Sequence, residues 1–176
     1  MATSPLLLLS IAALLLSACS SGSSGGSSEK SGSSSVSAVK VSGTSHGWVF
    51  HDGQTVTVSM GPNKLFAPLS HVNIVQCSDP GGKHANLPTS FIDCDENTIQ
   101  GDTVVVHAGG SFSESAYTVY KLPSPTLGET MHGKPACDKA NPCVLLVSEF
   151  QTNLSKPKAF SHPFVVLSAG SSQVGS

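Results

Sequence analysis

The sequence predicts an all-β domain, a seven-stranded antiparallel sandwich of the immunoglobulin-like class. Three observations lead there. Seven short segments carry strand-forming composition: residues 36–42, 54–59, 72–77, 103–107, 111–121, 143–149 and 160–167. Gly, Pro, Asn and Ser gather between them, which is turn chemistry. No stretch repeats its apolar residues at the helical period.

Taken in order, residues 36–42 place Val36 and Ala38 out of phase with Val39 and Val41, which predicts a first strand at a sheet edge. Trp48 and Phe50 follow and are expected to plug the base of the sandwich, before the turn signal His51-Asp52-Gly53. Residues 54–59 alternate cleanly, with Val56 and Val58 inward. Gly61-Pro62-Asn63 and Pro68 make a long turn into Val72-Asn73-Ile74-Val75-Gln76-Cys77. There Val72 and Ile74 fall on one face and Val75 and Cys77 on the other, so both faces are apolar and the strand belongs at the centre of its sheet. The loop 78–93 contains Pro80-Gly81-Gly82 but also Leu87 and Phe91, which must pack somewhere. Ala108-Gly109-Gly110 joins the fourth and fifth strands as a hairpin turn. In the fifth, Phe112 is out of phase with Tyr117 and Val119, which predicts a bulge at 113–115. Segment 122–136 is rich in Pro and Gly, the last two strands are 143–149 and 160–167, and 169–176 is a polar tail.

Of the 176 residues, the first 35 are apolar or Ser/Gly-rich, which leaves one domain over 36–168. The apolar block from Leu6 to Leu16 is too short to span a bilayer and reads as a signal peptide over 1–18, although Met1 to Pro5 holds no Lys or Arg. It ends in Leu16-Ser17-Ala18-Cys19, which resembles a bacterial lipobox and implies cleavage before Cys19 and lipidation of its thiol. Residues 20–35 have no apolar surface to bury and form a flexible tether, about 20–25 Å in reach. The expected location is therefore the extracytoplasmic face of the cell membrane, or outside the cell if the thiol is not lipidated. Charged residues make up 11% and the formal net charge is −2, which argues against direct nucleic-acid binding.

Gln76-Cys77, Cys94-Asp95, Gly110-Ser111-Phe112, Cys137-Asp138 and Cys143-Val144-Leu145 are followed by a last strand ending in Phe164-Val165-Val166-Leu167. In this order they resemble the neocarzinostatin family of enediyne-binding apoproteins, over residues 36 to 168. That resemblance implies the same sandwich. Four cysteines allow three pairings; the resemblance implies the sequential one, Cys77 with Cys94 and Cys137 with Cys143, whereas an antibody-like bridge would join Cys77 to Cys143. It also implies a cleft for a hydrophobic small molecule. Cys77 and Cys94 would be its floor, with Leu87, Phe91 and Ile99 nearby, Leu127 and Met131 from the later loop, and Val144 and Leu146 from the strand after Cys143. The long loop between Cys77 and Cys94 departs from the family, and the family's ligand-stacking aromatics are not plainly present.

No nucleophile elbow, zinc-protease motif, phosphate-binding glycine loop or Cys-x-x-Cys occurs, so an enzyme, a cofactor or a bound metal is not expected. The seven histidines lack metal-ligand spacing and read as surface residues. Asp93, Asp95 and Glu96 could bind Ca²⁺ but more often cap a turn. Two functions from different classes follow: a monomeric, tethered module that binds a hydrophobic small molecule, and a structural or adhesive envelope domain that binds protein or polymer.

Overall fold

The computed structural model describes residues 34–43, 47–100, 104–124, 135–149, 154 and 157–170. Ten strands form among them: β1 (Ser34–Ser42), β2 (Val49–His51), β3 (Gln54–Met60), β4 (His71–Ser78), β5 (Cys94–Asp95), β6 (Val104–Val105), β7 (Phe112–Val119), β8 (Cys143–Ser148), β9 (Lys158–Ser161) and β10 (Val165–Leu167). Two single 3₁₀ turns, Phe91–Asp93 and Glu96–Thr98, flank β5, and no α-helix occurs among the described residues.

One curled sheet runs β5-β4-β8-β9-β1-β3-β7, with β6 also on β4, and a separate pair joins β10 to β2. The curl follows from β1. Its first half pairs in parallel with β9, and its second half pairs antiparallel with β3 after an irregularity between Val36 and Val39. A bulge bends a strand and raises its twist, so β1 carries the sheet around the core. The expected edge position for this strand is therefore corrected. Its broken alternation reflects two different partners, not exposure.

Two further differences from the expected seven antiparallel strands have local causes. Residues 160–167 divide into β9 and β10, because Pro163 has no N–H to donate and falls between them. Two pairings, β1 with β9 and β10 with β2, are parallel, so the sheet is mixed.

Inside the curl lie Val39 and Val41 of β1, Val56, Val58 and Met60 of β3, Val72 and Ile74 of β4, Phe112, Tyr117 and Val119 of β7, and Leu145 and Val147 of β8. Phe112 and Tyr117 both reach this core because the β3–β7 register shifts between Val56, opposite Tyr117, and Val58, opposite Glu114. That shift leaves Ser115 and Ala116 facing Thr57 alone, the expected bulge moved by one residue. One end is closed by β2 and β10, where Phe50 meets Phe164 edge to face at 5.4 Å. Phe50 is the plug; Trp48 is 43% exposed and does not share that role.

The free edge of β7 faces back toward β4, and side-chain amides close this seam instead of a ladder. The Gln76 Oε1 accepts from Tyr120 N–H at 3.0 Å and its Nε2 donates to the same residue's carbonyl. Gln100 repeats the arrangement two residues earlier, accepting from Thr118 N–H at 2.7 Å and donating to its carbonyl. An edge strand with its polar groups satisfied this way is a poor template for pairing with another chain.

Candidate functional site

The pleat of β4 and β8 decides what lies outside the curl. Their alternate residues Val75, Cys77, Val144 and Leu146 cannot reach the main core and point to the sheet's other face. Strand register then builds a compact patch. Val75 lies opposite Leu146, which lies opposite Phe160 of β9, and Cys77 lies opposite Val144 in the neighbouring row. All five are buried.

No second sheet layer covers this patch among the described residues. Cys94, Leu154 and the half-buried Leu87, Phe91 and Ile99 pack on it instead. Five of the seven residues that the sequence pointed to as ligand contacts, Leu87, Phe91, Ile99, Val144 and Leu146, thus share one cluster. Leu127 and Met131 lie outside the described residues, as does Cys19. Phe160, Val75 and Leu154 complete the patch and were not anticipated. Phe160 was hidden because its strand was read as one continuous segment with β10.

Both expected disulfides are present. Cys77 and Cys94 face each other across β4 and β5 with their Cα atoms 3.9 Å apart, and Cys137 pairs with Cys143 at 5.0 Å. The first ties the loop that supplies Leu87 and Phe91 to the sheet. That loop is further organised by Asp79, a buried carboxylate whose oxygens accept N–H groups from His84 at 2.8 Å and Asn86 at 2.9 Å. Asp95 caps the second 3₁₀ turn by accepting from Asn97 N–H at 3.1 Å, and its other oxygen accepts from Ser124 N–H at 2.7 Å. Its carboxylate is committed to ordering loops. The same turn places Thr98, whose hydroxyl accepts from Gln76 N–H at 2.8 Å and donates to Asp95 O at 2.6 Å.

Lys158, at the margin of the patch, donates to Leu154 O at 2.5 Å, and burial holds its ammonium below the usual lysine range. A recess of about 400 Å³ opens between the two disulfide-bonded loops, walled by Ser78, Ile92, Asp93, Pro135, Ala136 and Asn141. A larger cleft, about 620 Å³, lies where the 81–84 loop meets Trp48 and the β9–β10 link, and is mostly apolar. It contains His84 and His162, with ring centroids 6.1 Å apart. Sequence spacing offered no hint of this, because these histidines are 78 residues apart and meet only in the fold.

Compared with family models, with curated proteins and with solved structures, the chain has no significant match.

Proposed function

We propose that this chain is a tethered extracytoplasmic binding module, an immunoglobulin-like sandwich of neocarzinostatin type that holds a hydrophobic small molecule against the stapled face of its sheet. One observation carries the reading. A fully buried apolar patch on the outer side of β4, β8 and β9 is covered by loop side chains, with Leu87, Phe91 and Ile99 only half-buried over it. Loop covers open at lower free energy than sheet ladders do, and a ligand that entered beneath one would gain about 25 cal/mol per Å² of apolar surface removed from water. The Cys77–Cys94 bridge limits how far such a cover can move. The reading assigns binding and not catalysis, with the membrane reached through lipidated Cys19.

Native mass spectrometry of protein purified from its own host tests this. The expected result is a reproducible non-covalent adduct that Phe91→Asp removes while the fold persists by circular dichroism. Bare protein under gentle conditions would refute the reading.

The adhesive alternative has its own observation. Leu69 is 72% exposed and Val105 45%, and Leu69 N–H donates to Val106 O at 2.8 Å, so the two sit close together on the surface. Exposed apolar neighbours of this kind suit a protein partner. Loss of such a partner on Leu69→Asp, with no small-molecule adduct, would favour that role.

A further inference from the structure

We propose that the cleft lined by Trp48, Lys83, His84, Pro142, His162 and Phe164 is a second ligand site, which takes a planar aromatic molecule bearing an anionic group. Its volume, about 620 Å³, is that of a small-molecule site. The aromatic preference comes from its walls. Trp48 leaves 43% of its surface exposed, an unusual state for the chain's single tryptophan when its neighbour Phe50 is buried. Its indole is not loose, for it rests on the His162 imidazole at 5.0 Å with the planes tilted by 40°. His162 in turn neighbours His84, so three rings follow one another along the wall. Phe164, 1% exposed, and Pro142 complete an apolar floor. A flat ring laid against these surfaces gains both area burial and stacking.

The 81–84 segment that carries His84 is held in shape before any ligand arrives. Residues 81 to 84 all have positive φ, at 88°, 66°, 56° and 62°, and two of them, Lys83 and His84, are not glycine. Such conformations persist only where the surroundings impose them. Here the Asp79 carboxylate holds the N–H of His84, and the His84 Nε2 lies 2.9 Å from Ser161 O, a carbonyl that can only accept, so this nitrogen carries the hydrogen. Gly81 N–H donates to Ala140 O at 3.1 Å and ties the loop to the segment that leads to Pro142. A preformed wall lowers the ordering cost of binding.

The sign of the ligand's charge follows from what lines the cleft. Among the described residues Lys83 is its one formally charged lining side chain, and none of these lining residues is Asp or Glu. The nearby Asp79 is fully buried, and both its oxygens are occupied by loop N–H groups. An anionic substituent near Lys83 therefore meets a cation with no competing carboxylate.

Trp48 is the only tryptophan in the chain, so its emission reports on this cleft alone. The probes are anilinonaphthalene sulfonate and its uncharged counterpart phenylnaphthylamine, titrated into the oxidised protein. Saturable one-site quenching by the sulfonate is expected. Lys83→Asn, which suits the left-handed backbone, should weaken the sulfonate about tenfold and leave the uncharged dye within about twofold. Phe91→Asp, on the stapled face, should change neither. The proposal is overturned by absent or non-saturable quenching, by equal weakening of both dyes in Lys83→Asn, or by loss of quenching in Phe91→Asp alone. The adduct test of the stapled face reads a different variant, so either site can fail without the other.

Discussion

Replacing Gln76 with leucine should lower the stability of the fold by about 2–3 kcal/mol. Gln76 is completely buried, and its amide pairs with both polar backbone groups of Tyr120 while its nitrogen lies 3.1 Å and 2.9 Å from the sulfurs of Cys137 and Cys143. Leucine fills much the same volume, so no large cavity opens. It leaves the Tyr120 N–H and C=O without partners, at about 1–3 kcal/mol for each buried group. Tyr120 is only half-buried, so water recovers part of that, and the apolar side chain returns about 1–2 kcal/mol of transfer free energy. For a domain of this size the net loss corresponds to a melting temperature lower by about 10 °C. Urea unfolding followed by circular dichroism measures it, with an unchanged slope and a lower midpoint expected. Gln100→Leu provides the scale. Gln100 makes the same contacts to Thr118 but is half-buried, so its loss should be about half as large. A Gln76→Leu protein within about 0.5 kcal/mol of wild type, or a larger effect from Gln100→Leu, would refute the view that these amides seal the sheet.

Three further outcomes are expected. Gly110→Ala should cost more than about 2 kcal/mol, since φ is +80° and the added Cβ would lie 2.0 Å from the Asn63 carbonyl oxygen; a thermal melt comparing Gly110→Ala with Gly109→Ala, which meets nothing, checks it. Removing the Cys77–Cys94 bridge as a double serine variant should lose about 3 kcal/mol, from the 17-residue separation it closes, and proteolysis should then cut first within 79–93. The Asp138 carboxyl is held below the ordinary carboxylate range by the N–H of Asn141 and, next, that of Ala140. A depressed folded pKa means the stabilisation is complete above the unfolded value, about 4, and disappears as pH falls through the folded value. Wild type and Asp138→Ala should therefore differ slightly at neutral pH and converge as pH falls through the folded value in parallel urea titrations; because Asp138 is exposed, the gap should be small.

Much of this architecture could be read from the chain because some signals are local. The two-faced apolar pattern of Val72, Ile74, Val75 and Cys77 foretold a strand buried on both sides, and it now divides the main core from the outer patch. The phase break between Phe112 and Tyr117 foretold a bulge. Other features have no local signature. β2 and β5, three and two residues long, exist through pairing with β10 and β4, and so could not be seen as periodic segments. The irregular β1 looked like an edge because alternation assumes one partner on each side throughout. The seam was equally hidden, since Gln76 and Tyr120 are 44 residues apart and an amide bonded to backbone leaves no mark in composition. For the candidate site, apolar loop residues were visible as a surplus that had to pack somewhere. Their common destination depended on register. The Trp48–His162–His84 row was missed because an exposed tryptophan runs against the usual burial of that residue.

The proposal of a ligand seat beneath the 87–99 loops is tested most directly by methyl NMR. Spectra of host-purified protein would be compared with those of the same protein unfolded, stripped and refolded with its disulfides intact. The methyl resonances of Val144, Leu146 and Leu87 should shift between the two, while those of Val56 and Val58 in the enclosed core should not. Superimposable spectra, or shifts confined to the Trp48 end, would contradict a binding role for the stapled face.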